Sequence, residues 1–217
     1  PARRLNSINA LDPGDEADLT ERIARAARRF ASYGRPLTFR ISPLSGPGIT
    51  AHLDREGWRF LSESLVMRAP LDERMVGGAI DQIPLQDVGR FVSAAIAVGN
   101  VDPALRPGLS EVITSIEPQA GLFAHEPEGM PVSTAICVQD GDLAGLFEVA
   151  TETGQRGKGH ARRTVLSALK WAYSRGARQA WLQVEADNRP AVGLYHSLGF
   201  EEAYRYHYRQ PPQAEAA

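Results

Sequence analysis

Gln155-Arg156-Gly157-Lys158-Gly159-His160-Ala161-Arg162-Arg163 is the stretch on which the reading of this chain turns. An apolar, strand-like run, Leu146 to Thr151, leads into it, and an amphipathic helix, roughly Ala161 to Arg175, leads out of it. Strand, glycine loop and helix in that order build a seat for a phosphorylated ligand. The first amides of a helix have no intrahelical partner, and the dipole at that end favours negative charge. Gly157 and Gly159 carry no Cβ, so the backbone there can approach phosphate closely. Arg162 and Arg163 place two cations in the first turn, opposing the dipole by about 0.3–1 kcal/mol each where exposed. An anion bound at the helix start would remove that conflict.

The chain has 217 residues, enough for one large domain or two small ones with a sizeable core. Apolar residues make up 43% and charged residues 23%, the balance of a globular protein in water. With a net charge of −2 there is no general electrostatic attraction to nucleic acid or to an anionic membrane, and neither is expected as a partner. Cys137 is the only cysteine, so no internal disulfide forms and a reducing, cytoplasmic setting is expected. The longest mainly apolar run, Phe91 to Val98, is far too short to span a bilayer, and the start shows no signal-peptide pattern. The five histidines are scattered without metal-ligand spacing, so no metal site is expected.

Upstream, Pro1 to Glu16 is polar and broken by Pro13 and Gly14, and reads as a loose arm. Asp18, with Glu21 three residues on, reads as a capping box opening a helix from Leu19 to Ser32. Leu37 to Ile41 alternates as a strand does, Ile49 to Glu56 reads as a short helix, and Trp58 to Arg68 as a long strand. Pro70 to Pro84, with Gly77-Gly78, is the best linker. Helices follow near Gln86 to Val98 and Leu109 to Ser115. Strands are then expected at Gly121 to His125, Val132 to Gln139 and Leu143 to Thr151, the last two joined by the turn Asp140-Gly141-Asp142. Beyond the glycine loop and its helix come a strand, Ala180 to Ala186, and a short helix opened by Asn188-Arg189-Pro190. Phe200 to Arg209 is a last strand.

Ala31 to Arg68 and Ala172 to Arg209 share an order: helix end, glycine, strand, short helix, Gly-aromatic (Gly57-Trp58; Gly199-Phe200), long strand. That is the self-similarity a duplicated unit leaves. The first copy differs where it matters. Upstream of it, Asp12 to Thr20 is acidic and has no glycine loop, so the first copy is expected to be structural.

Three phosphate motifs compete for the loop. Gly154 to Gly159 has P-loop spacing, but His160 and Ala161 stand where lysine and a hydroxyl would be needed. Gly157 and Gly159 fit a dinucleotide fingerprint, but Arg162 stands where a small residue must let helix and strand pack. The third, Arg/Gln-x-x-Gly-x-Gly/Ala, is met in full by Arg156 to Ala161. Here the chain resembles the GCN5-related N-acetyltransferase (GNAT) superfamily, over roughly Leu65 to Arg209. A second segment supports it. Asn188 to Phe200 is similar to the superfamily's Asn-x-x-Ala-x-x-Leu-Tyr-x-x-x-Gly-Phe. Thr153 departs from the proline of many members, a change that touches loop stiffness rather than chemistry.

The resemblance implies an α+β fold: a mixed, mainly antiparallel sheet flanked by helices, here preceded by a partial GNAT-like α/β repeat. Residues 1–70 would be the half domain without a cofactor loop, and 71–217 the acetyltransferase domain. It implies acetyl-CoA as co-substrate, with no metal. Amides of Gly157, Lys158, Gly159, His160 and Ala161 would hold the pyrophosphate, with Arg156 and Arg162 beside it. Val149, Ala150 and Thr151 would meet the acetyl carbonyl and pantetheine. Asn188 would bond the pantetheine arm or only cap its helix. Tyr195 matches the general-acid tyrosine; a phenol near pKa 10 is protonated at neutral pH and so holds a proton for the departing thiolate. Without the motif, Tyr195 would read as a core residue packed with Leu194 and Leu198. Glu148 is the nearest carboxylate in the chain to act as base, with Glu185 and Asp187 as rivals. The reaction implied is acetyl transfer to an amine of a small molecule or peptide by direct attack. A non-catalytic acyl-CoA sensor or scaffold is the alternative, and a homodimer is compatible with either.

Overall fold

The computed structural model describes residues 3–14 and 16–212. After a turn at Arg3–Asn6 the elements are β1 (Ile8–Asn9), α1 (Leu19–Ser32), β2 (Phe39–Ile41), α2 (Pro47–Arg55) and β3 (Arg59–Pro70). Then come α3 (Glu73–Val76), α4 (Val88–Gly99), α5 (Arg106–Thr114), β4 (Gln119–His125), β5 (Ser133–Asp140) and β6 (Leu143–Thr151). The chain closes with α6 (His160–Tyr173), β7 (Gln179–Glu185), α7 (Arg189–Ser197) and β8 (Glu201–Gln210). The strands form one mixed sheet of eight in the order β1-β2-β8-β3-β7-β6-β5-β4. This is the α+β architecture the sequence implies.

Two compact units partition the chain. The first comprises the chain up to Val66, Val184–Arg189, and the chain from Glu202 on. Its core is Leu37, Phe39, Ile41, Ile49, Leu53 and Trp58, with the Phe39 and Trp58 rings edge to face at 5.3 Å. The apolar stripe of α1 (Leu19, Ile23, Ala26, Phe30) packs onto that core without any residue of the helix becoming fully buried. Arg209 on β8 pairs with Asp54 and donates to the Trp58 carbonyl at 2.8 Å, tying the last strand to α2.

Two local expectations are corrected in this unit. Within the arm, Ile8–Asn9 forms β1, parallel to Phe39–Arg40 of β2, because the Thr38 carbonyl at that edge accepts the Ile8 amide at 2.8 Å. The capping box does not form. Asp18 takes a left-handed backbone (φ 52°) and makes no side-chain cap bond. Glu16 supplies a carboxylate elsewhere: its Oε1 accepts the Gly48 amide at 2.6 Å, in the first turn of α2, where the dipole favours an anion.

The second unit is Met67–Gln183 with Pro190–Glu201. β4, β5 and β6 are an antiparallel meander, and β6 pairs with β7 in parallel across the α6 crossover. Side chains alternate across this sheet. Leu122 and Ile136, a cross-strand pair, pack with Phe91 and Val92 of α4. The neighbouring pair Phe123 and Ala135 faces the other way, where the Phe123 ring meets Trp171 of α6 at 6.0 Å. Helices therefore cover both faces. α6 buries Val165, Ala168, Leu169 and Ala172, one stripe at helical spacing. Part of the expected linker is structured: Asp72 caps the short α3 by accepting the Met75 amide at 3.1 Å.

The element order and strand order can be set beside the expected repeat. α1-β2-α2-β3 and α6-β7-α7-β8 have the same succession of elements. In the run β2-β8-β3-β7, exchanging β2 with β7 and β3 with β8 gives the same order read backwards. The strands flanking α1 are parallel, as are those flanking α6.

Leu53 in the first unit and Leu169 in the second are both fully buried. Leu53→Ala and Leu169→Ala should each cost about 2–5 kcal/mol in urea unfolding, with the cavity left behind setting the upper end. A loss under about 1 kcal/mol at either site would show that its core does not hold that unit together.

Candidate functional site

The site begins where β6 leaves its parallel partner. The β6–β7 ladder runs from Leu143↔Gln179 to Leu146↔Leu182 and stops. On its other side β6 continues to Thr151 along β5, but with a bulge: Ile136 faces Phe147, Thr134 faces Ala150, and one residue of β5 stands opposite two of β6. Glu148 sits in that bulge at φ 48°, left-handed and therefore strained for a residue with a side chain. Thr134 Oγ1 donates to its carbonyl at 3.5 Å. A bulge bends a strand and sharpens its twist. Val149, Ala150 and Thr151 thus continue β6 beyond the end of the parallel ladder, half-buried, with Glu148 exposed.

Past Thr151 the loop is folded by its own polar groups. Glu152 Oε1 accepts the Gly154 amide at 2.9 Å and opens a short turn, Thr153–Gln155. Gly157 (φ 76°) and Gly159 (φ 83°) then reverse the chain. A Cβ at either glycine would meet nothing within 4 Å, so backbone angle, not crowding, selects glycine here, and the ground above the loop is open. α6 starts at His160, one residue before the sequence boundary, with Gly159 as its N-cap and no side chain capping it. Its first amides therefore lack a side-chain acceptor.

Below the loop the helix start is anchored. Ser133 Oγ and Thr164 Oγ1, both buried, lie 2.5 Å apart, and Thr164 Oγ1 also donates to the His160 carbonyl at 3.1 Å. The cations divide their roles. Arg156 Nε reaches the Thr151 carbonyl at 3.5 Å, and Lys158 Nζ donates to Gln155 Oε1 at 2.9 Å. Arg162 does more than stand beside the loop: its Nη1 donates to Ser197 Oγ at 3.1 Å, and Ser197 Oγ donates to the Leu194 carbonyl at 2.7 Å. The first turn of α6 is thereby tied to the last turn of α7, two residues from Tyr195.

Tyr195 is 6% exposed, its ring edge to face with Phe200 at 5.8 Å. The amides of Leu198 and Phe200 both bond its carbonyl at 3.0 Å, which fixes the end of α7 around it. Burial pushes its hydroxyl up to about 12. Asn188 stands just before α7, its amide donating to the Glu185 carbonyl at 3.0 Å. Cys137 is fully buried in β5, and burial pushes its thiol up to about 12, which removes it as a nucleophile. His125 is a residue the sequence did not single out. At the end of β4 its ring lies 5.2 Å from that of His160. Burial, then the charges of Arg163 and His160, hold its pKa below the usual imidazole value. No spacing signal could have joined the two histidines, because only the β4–β5 pairing and the α6 crossover bring them together. Among the described residues no group of three or more potential metal ligands occurs.

A strand freed from its partner, a glycine turn and a helix start without a side-chain cap thus follow one another in the chain. Residues 101–200 match the model of the Acetyltransferase (GNAT) family. The chain is 25% identical over 214 residues to "Uncharacterized N-acetyltransferase YobR" of Bacillus subtilis, covering 95% of this chain and 85% of that protein. Among solved structures it is similar in fold to a GCN5-related N-acetyltransferase from Kribbella flavida, with TM-score 0.67 and 18% identity over 96% of this chain and 82% of that one. Another from Sphaerobacter thermophilus gives TM-score 0.70 and 17% identity, over 92% of this chain and 70% of that one. The family match over residues 101–200, the N-acetyltransferase relatives and the shared fold together support a GNAT-type, acetyl-CoA-dependent acyltransferase.

Gly159→Ala should lower stability by about 1–2 kcal/mol in chemical denaturation, since a Cβ is disfavoured at left-handed φ. The same variant should raise the KM for acetyl-CoA, because relaxing that angle turns the first amides of α6. A variant with unchanged KM would remove those amides from cofactor binding.

Proposed function

We propose that this protein is an N-acetyltransferase that moves the acetyl group of acetyl-CoA to an amine of a small molecule or peptide by direct attack. One observation carries the reading: the uncapped start of α6 is hydrogen-bonded, through Arg162 and Ser197, to the helix that holds the buried Tyr195. Phosphate seat and proton donor are thus held as one piece.

The residues present fit the cofactor. The open ground above Gly157 and Gly159 admits phosphate oxygens to the backbone, and the amides of Gly157, Lys158, Gly159, His160 and Ala161 supply donors. Arg156, Lys158 and Arg162 supply compensating charge. Val149, Ala150 and Thr151, beyond the end of the β6–β7 ladder, would run alongside the pantetheine and acetyl end. When bound, acetyl-CoA supplies an activated acyl group with a thiolate as leaving group.

Tyr195 is the acid in this scheme. Held protonated to about 12, it keeps its proton at every ordinary working pH and so is available to protonate the departing thiolate sulfur as the C–S bond breaks, although a phenol of that pKa is a weaker acid than the thiol it forms. Glu148 is the candidate to receive the proton of the attacking amine, through water. The bulge supports that role, because it re-aims this one residue relative to its strand neighbours and leaves it exposed. The first 70 residues would be a degenerate copy of the α6–β8 unit that gives structural support, a reading supported by the self-matching strand order.

Turnover read as CoA thiol release across a panel of primary amines tests the reading. Tyr195→Phe should lower kcat about 100-fold or more while the KM for acetyl-CoA stays within about twofold. Unchanged turnover would take Tyr195 out of the mechanism, and no thiol release with any amine would leave only a binding role. In the pH profile of the active enzyme, the rate should climb as the amine loses its proton. No alkaline fall should come from Tyr195 until the pH nears 12.

A further inference from the structure

Three basic side chains of the second unit have no part in the transfer scheme: His125, His160 and Arg163. Every residue of that unit lies within the described ones. His125 ends β4 and His160 opens α6, and their rings are 5.2 Å apart. Arg163 follows His160 by three residues, so the two share one side of the helix. Both act on His125 by charge and disfavour its protonated form. No carboxylate acts on His125 in the opposite sense, and Glu126, next in the chain, is turned to Arg90 at 2.6 Å. Arg162 is bonded to Ser197, but among the described residues the exposed Arg163 guanidinium has neither a hydrogen bond nor an ion pair.

Strand register gives the direction of this group from the glycine loop. Thr151, the last residue of β6, is paired with Ser133 on β5, and Ser133 is paired with His125 on β4. His125 therefore stands two strands from Thr151, about 10 Å at the usual strand spacing, on the side away from β7. Ser133 Oγ donates to the His160 carbonyl at 3.4 Å, so the start of α6 bridges that interval. The pantetheine arm of a bound CoA would run on the other side, where β6 leaves β7. With its diphosphate on the loop, the adenosine arm then departs across β5 towards β4. That arm carries one further phosphate, on the ribose.

We propose that His125, His160 and Arg163 bind the ribose 3′-phosphate of CoA, and so make this protein select CoA over dephospho-CoA. The inference rests on the acyl-CoA reading above. Imidazole N–H groups and the guanidinium fork are donors suited to phosphate oxygens. A dianion among them turns the mutual repulsion of three basic groups into attraction, and it restores to His125 the protonated form that its neighbours disfavour. The two consecutive arginines of α6 then divide the work: Arg162 ties the helix to α7, and Arg163 meets the far end of the cofactor.

Calorimetric titration of the full chain with CoA and with 3′-dephospho-CoA tests this. CoA should bind about tenfold or more tightly, since the charge-assisted hydrogen bonds leave with the phosphate. Arg163→Gln with His125→Ala should bring the two affinities to within about threefold of each other, by weakening CoA and not dephospho-CoA. Arg163→Gln alone, at an exposed position, should already reduce the preference. Equal affinity of the unaltered protein for the two ligands would overturn the proposal and leave the acyl-CoA reading standing. So would a preference for CoA that survives the double substitution, or a loss shared equally by both ligands, which would place these residues at the diphosphate or in the fold. Binding of neither ligand would overturn the acyl-CoA reading itself, and this inference with it.

Discussion

A helix start left without a cap is the constraint around which the second unit is arranged. Uncapped amides are tolerated only where solvent or a ligand satisfies them. At α6 the cap position is given to Gly159, which has no side chain to offer, and the next residues add arginines where the dipole disfavours them. Each choice is locally unfavourable. The compensation is structural: the Ser133–Thr164 hydroxyl pair and the buried stripe of Val165, Leu169 and Ala172 hold α6 against the sheet whatever its first turn prefers. Local cost at the loop is offset by burial further along the same helix.

The same logic governs β6. An unbroken parallel ladder with β7 would satisfy every edge group and leave nothing for a ligand. Stopping the ladder at Leu146 leaves the rest of β6 without that partner, and the bulge at Glu148 turns the strand at that point. Antiparallel pairing with β5 on the other edge keeps the freed segment in place. Tyr195 needs no comparable compromise. The apolar surroundings that pack its ring also raise its pKa, so burial keeps the phenol protonated.

Much of this was legible in the sequence, for identifiable reasons. The loop, α6 and the Tyr195 segment are contiguous motifs whose spacing states their geometry, and the long strands and helices follow clear periodicity. What escaped depends on contacts distant in the chain. β1 is two residues long and exists because β2 offers an edge. Asp18 looks like a cap by type, but its backbone turns left-handed, and it is Glu16 that serves a helix start, that of α2. The Arg162–Ser197 bond and the His125–His160 contact join residues no local pattern relates. The bulge at Glu148 is likewise invisible in a run that reads as plain strand.

The two crossovers show how one topology can carry opposite chemistry. In β6–α6–β7 the helix start is cationic, rich in glycine and uncapped; in β1–α1–β2 it is acidic, and its charge lies instead along the helix as Arg22, Arg25 and Arg29. Neither helix start has a side-chain cap, so the difference lies in the sign of the charge around the first turn and in the positive-φ glycines, Gly157 and Gly159, that reverse the chain before α6.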